Sequence, residues 1–265
     1  LSLEIEYHDT YLKLHQTGYV KQLLNDFRMD NCNSVPTPIT ESLVKVITET
    51  PNSLTNVSNT NDFPMLTLCG RLLWLTRLSR FDICFATNFL CRYMAVANKL
   101  DKLLPIAKRV LRYLKGAAEV GLIYPIMKQT DLIVSGVVDS DFAGDTTKKS
   151  TYCRYTYLDR CLINFTTKLQ KTVATSTCNA EFNGIAEAMT DVIYYRACTA
   201  ELRGKFWPKE LSPFTINYPM CDCPRAKEML KADNKPEPPP SVIKNDNAGA
   251  VAAIAKAGAT AKGTK

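Results

Sequence analysis

Residues 137–145 read VVDSDFAGD. An apolar run, Leu132-Ile133-Val134 followed by Val137-Val138, ends on Asp139, Asp141 and Asp145, three acids in seven residues. A buried strand that stops on carboxylates either turns into solvent or delivers charge to a crevice at a sheet end. The segments downstream bear on the choice. Runs at 152–158 and 161–165 stand at hairpin spacing from the first and predict two more strands. Residues 173–175 read as a short strand or as the approach to a helix. A long helix is predicted over about 179–202, with Asn179 as its N-cap. Phe182, Ile185, Ala186, Met189, Val192 and Ile193 are expected to face inward. Residues 203–240 read as irregular and end in a stiff Pro-rich linker, ADNKPEPPP. A strand at 241–243 then runs into Lys244-Asn245-Asp246-Asn247, and a small-residue helix is predicted over 248–257. Three strands, a helix, a strand and a helix predict a mixed sheet with flanking helices, in the α/β (α+β) class.

The first half has a different pattern. Residues 1–39 read strand, strand, helix, the helix carrying Val20, Leu23, Leu24 and Phe27 at helical spacing and stopping at Val35-Pro36-Thr37-Pro38. Residues 40–62, rich in Ser, Thr and Asn, predict a surface loop or linker. Helices follow at 65–79, 82–93 and roughly 100–115. The last is amphipathic, with Leu103, Ala107, Val110, Leu111 and Leu114 inward. Lys108, Arg109, Arg112 and Lys115 form an outer basic face. Such a face is either solvated or placed to meet a phosphate backbone. The pattern divides the chain into 1–125, mostly helical, and 126–265, the sheet-bearing part, with the irregular insertion at about 203–240.

Composition is that of a globular protein: 265 residues, 46% hydrophobic and 22% charged. No apolar run reaches the length of a membrane span, so no membrane partner is expected. The formal net charge of +7 favours a polyanionic partner. No initiator Met and no signal-peptide pattern are present, which reads as a piece of a longer intracellular protein. The ten cysteines then predict buried thiols rather than disulfides. The two histidines, His8 and His15, lie far from the Cys221-Asp222-Cys223 pair, which argues against zinc.

Carboxylates thus occupy three informative places: a strand end (Asp139), the first turn of the long helix (Glu181) and a later strand end (Asp246). Taken singly, each has a bland explanation as a turn cap, a helix-dipole partner or an N-cap. Converging, they would repel unless cations lay between them. Oxygen ligands suit Mg²⁺, and a pair of such ions supports phosphodiester hydrolysis.

At this point the residues resemble a known family, the Pol polyproteins of Ty1/copia-type retrotransposons. Leu3-Glu4-Ile5-Glu6, Leu23 through Met29 and Cys32-Asn33-Ser34-Val35-Pro36-Thr37-Pro38 resemble the region after the polymerase palm. Gly70 through Thr76, Arg80-Phe81-Asp82-Ile83 and Lys108 through Gly116 resemble the connection segment. Asp139 through Asp145, with Lys149-Ser150-Thr151, resembles the opening of the ribonuclease H domain. The resemblance implies a reverse transcriptase thumb/connection region at 1–125 and a C-terminally truncated ribonuclease H-like domain at 126–265. It implies Mg²⁺-dependent hydrolysis, with two ions, of the RNA strand of RNA–DNA hybrids. Asp139, Glu181 (in Ala180-Glu181-Phe182) and Asp246 (in Asn245-Asp246-Asn247) match the catalytic, metal-binding carboxylates. Asp222 competes with Asp246 for the third place, and Asp141 matches a supporting acid. Lys108, Arg109, Arg112 and Lys115 become candidate contacts to the hybrid. The implied partners are that hybrid and the remainder of the polyprotein, the reverse transcriptase palm and the integrase, within a cytoplasmic virus-like particle, with the nucleus as the alternative location. The sequence departs from the family pattern in Cys178-Asn179 and in Phe81, and it contains neither the polymerase's paired aspartates nor a fourth carboxylate. A non-catalytic, transposon-derived nucleic-acid-binding module is the competing expectation.

Overall fold

The computed structural model describes residues 2–50, 63–126, 132–206 and 242–244. The chain forms two compact units, Leu1–Ile126 and Met127–Lys265.

In the first unit, β1 (Glu4–Tyr7), β2 (Tyr11–His15) and β3 (Gly121–Pro125) make an antiparallel sheet in the order β1-β2-β3. Between β2 and β3 run α1 (Thr17–Asp26), α2 (Glu41–Thr48), α3 (Met65–Leu78), α4 (Cys84–Tyr93) and α5 (Leu100–Gly116). Their apolar stripes meet in one core that includes Leu23, Ile47, Leu68, Leu72, Leu90 and Ile106. Burying each such side chain stabilises the unit by about 1.5–3 kcal/mol. The expected inner face of α5 is wholly buried: Leu103, Ala107, Val110, Leu111 and Leu114 are all 0% exposed. The reading of 40–62 as loop is corrected at its start, where α2 forms. Ile47 is buried and Leu43 and Val44 pack on the core, a helical spacing that the flanking Ser, Thr and Asn obscured. The rest of that stretch, 51–62, lies outside the described residues.

The Arg80-Phe81-Asp82 block acts as a clamp. Wholly buried Arg80 donates Nε to Asp82 Oδ1 (3.0 Å), Nη2 to Asp82 Oδ2 (2.7 Å) and Nη1 to the Ala117 carbonyl (2.9 Å). The Tyr113 hydroxyl donates to Asp82 Oδ2 at 2.8 Å. The charged pair is two residues apart and bidentate, so it fastens the turn before α4 to the C-terminal end of α5 whatever residue stands between.

In the second unit, β4 (Val134–Asp141), β5 (Thr151–Leu158) and β6 (Cys161–Leu169) form an antiparallel meander. α6 (Thr177–Phe206) crosses it, and β7 (Val242–Lys244) adds parallel to β4, in the order β6-β5-β4-β7. This is the α+β arrangement expected: a mixed sheet with a flanking helix, preceded by a mostly helical region. β4 alternates, with Val134, Gly136, Val138 and Ser140 buried, Val138 packed against Ile185 and Ala188 of α6, and the intervening residues more open.

The helix face and cap are corrected. Phe182, Ala186 and Ile193 are exposed, while Glu181, Gly184, Ile185, Ala188 and Val192 are buried and Met189 is half-buried. A glutamate and a glycine in the buried stripe carry no hydrophobic signal, so periodicity alone favours the wrong side. Ser176, not Asn179, caps the helix: its Oγ accepts the Asn179 amide at 3.1 Å, while Asn179 Oδ1 accepts the Thr175 amide at 3.3 Å. The helix also runs on to Phe206, into the stretch read as irregular. The Pro-rich linker and the helix predicted over 248–257 lie outside the described residues. The eight described cysteines are free thiols, and among the described residues no helix is long and apolar enough to cross a membrane.

Candidate catalytic site

The end of β4 and the first turn of α6 meet through named atoms. The Ser140 amide donates to Glu181 Oε1 at 3.2 Å, and Ser140 Oγ donates to the Ala180 carbonyl at 3.2 Å. Gly184, one turn on, permits the approach. A Cβ there would stand 2.7 Å from Ser140 Oγ and 3.1 Å from Val138 Cγ2. Glu181 is 3% exposed, and a buried carboxylate is tolerated only where hydrogen bonds replace its water.

Asp139 precedes Ser140 directly and is exposed, on the opposite pleat of the strand. The structure therefore brings positions 139 and 181 to one strand end, with the Ser140 backbone between them, and only Glu181 is fixed by that hydrogen bonding. β7 pairs Ser135 with Val242, Gly136 with Ile243 and Val137 with Lys244. Asp246 and Asp222 lie outside the described residues. Among the described residues no three Cys, His, Asp or Glu side chains group closely enough to hold a metal ion.

The loop after β4 is built around its own acids. Asp145, 6% exposed, accepts the Thr147 amide (2.9 Å) and hydroxyl (2.7 Å) on Oδ1. The Asp141 carboxylate occupies the space a side chain at Gly144 would need. Ala143 takes φ 54°, and its amide donates to Ser150 Oγ at 3.2 Å. Asp141 and Asp145 thus shape the loop.

A second polar cluster ties α6 to the sheet further along and was not legible beforehand. Arg154 on β5 pairs with Glu187 (3.0 Å) and Asp191 (2.7 Å), and Asn164 on β6 donates to Asp191 at 3.0 Å. Burial raises the Asp191 carboxyl above the usual carboxylate range, against the opposing pull of Arg154. Spacing along α6 held a signal, because 184, 188, 191 and 195 share a face with Glu187 beside them, but a polar stripe reads as solvated when the sheet is unseen.

The basic side chains of α5 have intramolecular work. Arg109 Nη2 donates to Thr37 Oγ1 (2.8 Å), Arg112 Nε to the Asn33 carbonyl (2.7 Å), and Lys115 Nζ to the Asp30 carbonyl. They hold the segment after α1 against the helix. Lys108 is exposed.

Searches of known proteins agree with this picture at the level of family. Over 198 residues the chain is 33% identical to an uncharacterized mitochondrial protein of Arabidopsis thaliana, covering 74% of this chain and 78% of that protein. It is 30% identical over 193 residues to the retrovirus-related Pol polyprotein from transposon TNT 1-94 of Nicotiana tabacum, covering 72% of this chain. It is 29% identical over 203 residues to the Pol polyprotein from transposon RE1 of Arabidopsis thaliana, covering 76%. The chain spans 14% and 13% of those two polyproteins. No family model matches the chain, and no solved structure matches it.

Proposed function

Because this chain belongs to the family of copia-type retrotransposon Pol polyproteins, we propose that its second unit is a ribonuclease H module that cuts the RNA strand of RNA–DNA hybrids. The observation that carries the reading is the hydrogen bond from the Ser140 amide to Glu181 Oε1. It draws the acid of the Ala-Glu-aromatic element to the residue beside the first acid of the Asp-x-Asp block. Two positions matched by motif, 42 apart in sequence, come to one strand end.

The β4–β7 register supports Asp246 as the third acid. Val137 pairs with Lys244, and Asp139 and Asp246 each stand two residues further on.

The donor set fits a hard cation. Carboxylate oxygens are the ligands Mg²⁺ prefers, and 139, 181 and 246 would supply them. When bound, the metal supplies charge stabilisation at the scissile phosphate and a water of lowered pKa. The protein's own part is to hold and aim Glu181 through the Ser140 amide and to present Asp139 openly at the strand end. The hybrid would be recognised by backbone shape and the 2′-OH, without choice of sequence.

The test is cleavage of an end-labelled hybrid with and without Mg²⁺ by the chain and two variants. Asp246→Asn is expected to stop cutting and Asp222→Asn to leave it intact. Hybrid binding without Mg²⁺-dependent cutting by the unaltered chain would instead establish a non-catalytic binding module.

A further inference from the structure

One buried side chain at this site has no part in the chemistry just described. Gln170 follows β6 directly and is 4% exposed. Its backbone amide donates to the Ser150 carbonyl at 2.7 Å, which pins it to the loop that precedes β5. Its side-chain Nε2 donates to the Ala180 carbonyl at 2.7 Å, and its Oε1 accepts Asn183 Nδ2 at 3.4 Å. The amide orientation is dictated by chemistry, since a carbonyl oxygen can only accept. Ser140 Oγ donates to that same Ala180 carbonyl at 3.2 Å.

The residue just before Glu181 is therefore held from two strands at once, by Ser140 on β4 and by Gln170 at the end of β6. Two side chains from outside the helix thus donate to this one carbonyl. Movement of the first turn of α6 along or across the sheet would break one or both bonds. The same movement would withdraw Glu181 Oε1 from the Ser140 amide, because residues 180 and 181 move together.

We propose that Gln170 is a positioning residue for Glu181. With Ser140 it sets the height of the first turn of α6 over the sheet, and so the direction of that carboxylate. The proposal rests on the nuclease reading for its consequence in turnover, but the positioning itself can be measured without any reaction. A buried glutamine that merely fills space and satisfies its own amide would stabilise the fold and leave Glu181 where it is.

The experiment compares the unaltered chain with Gln170→Ala and with Asn183→Ala, well below their melting temperatures. Asn183→Ala removes the group that orients the Gln170 amide while leaving the bond to Ala180, so it guards against a Gln170→Ala chain that fails to fold. Two signals are read by NMR at one fixed pH: the Ser140 amide shift and the Glu181 carboxyl-carbon shift. Hybrid cleavage gives kcat and KM separately. Both NMR signals are expected to move in Gln170→Ala, and in the same direction but less in Asn183→Ala. The kcat of Gln170→Ala is expected to fall by about tenfold to a hundredfold with KM for hybrid unchanged, as for a misplaced catalytic group. A lowered melting temperature with both signals and kcat unchanged overturns the proposal. Moved NMR signals in a chain whose unaltered form does not cut hybrid sustain the positioning role and overturn the nuclease reading.

Discussion

At Gly184 the helix lies so close to β4 that a single methyl group decides the packing. Gly184→Ala would drive a Cβ to 2.7 Å from Ser140 Oγ and 3.1 Å from Val138 Cγ2. Overpacking of this kind costs about 1–3 kcal/mol, so denaturant unfolding should show a loss of that size despite alanine's better helix propensity. Equal or higher stability would mean that α6 stands off the strand. Asp191 gives a pH signature. Burial favours its neutral form, so the folded chain holds that proton more tightly than the unfolded chain. Its contribution to stability is fully present below the ordinary aspartate pKa and is lost as pH rises through the raised value. Unfolding midpoints should fall across that window, and Asp191→Asn should flatten the fall. Both residues sit on the side of α6 that hydrophobic spacing placed only in part. There Glu181 and Gly184 are buried beside Ile185, Ala188 and Val192, and that burial is dictated by a strand that lies elsewhere in sequence.

Among the elements, α5 separates what a sequence shows from what it hides. Its inner face was legible residue by residue, because five apolar side chains at helical spacing leave one solution. Its outer face was legible as charge but not as a set of contacts. Arg109, Arg112 and Lys115 reach the segment 30–37, whose path depends on prolines and carbonyls that no periodicity records. Arg112→Ala should therefore cost stability, about 1 kcal/mol for the lost bond to the Asn33 carbonyl, and leave hybrid affinity unchanged. Lys108→Ala should do the reverse, lowering the salt dependence of hybrid binding by about one unit of slope. Paired urea melts and salt titrations of binding check both, and exchanged outcomes would return the whole face to the nucleic acid. α2 was missed for a related reason: a single helical turn of Leu43, Val44 and Ile47 is a faint signal within a polar stretch.

At the scale of the molecule, the mixed sheet was legible from three strands, a long helix and a later strand, and the parallel pairing of β7 with β4 completes it. Asp139 and Glu181 were singled out by motif order, and the Ser140 amide, next to Asp139, hydrogen-bonds Glu181. What the sequence hid was the support: Ser140, Gln170, Ser176 and Gly184 are small or neutral residues whose roles exist only once strand and helix are side by side. That this strand end hydrolyses phosphodiesters is tested by the rate at which Asp139→Asn cuts the RNA strand of a labelled hybrid in Mg²⁺. Cutting is expected to fall to background while hybrid affinity stays at or above that of the unaltered chain. Cutting at the unaltered rate would contradict it.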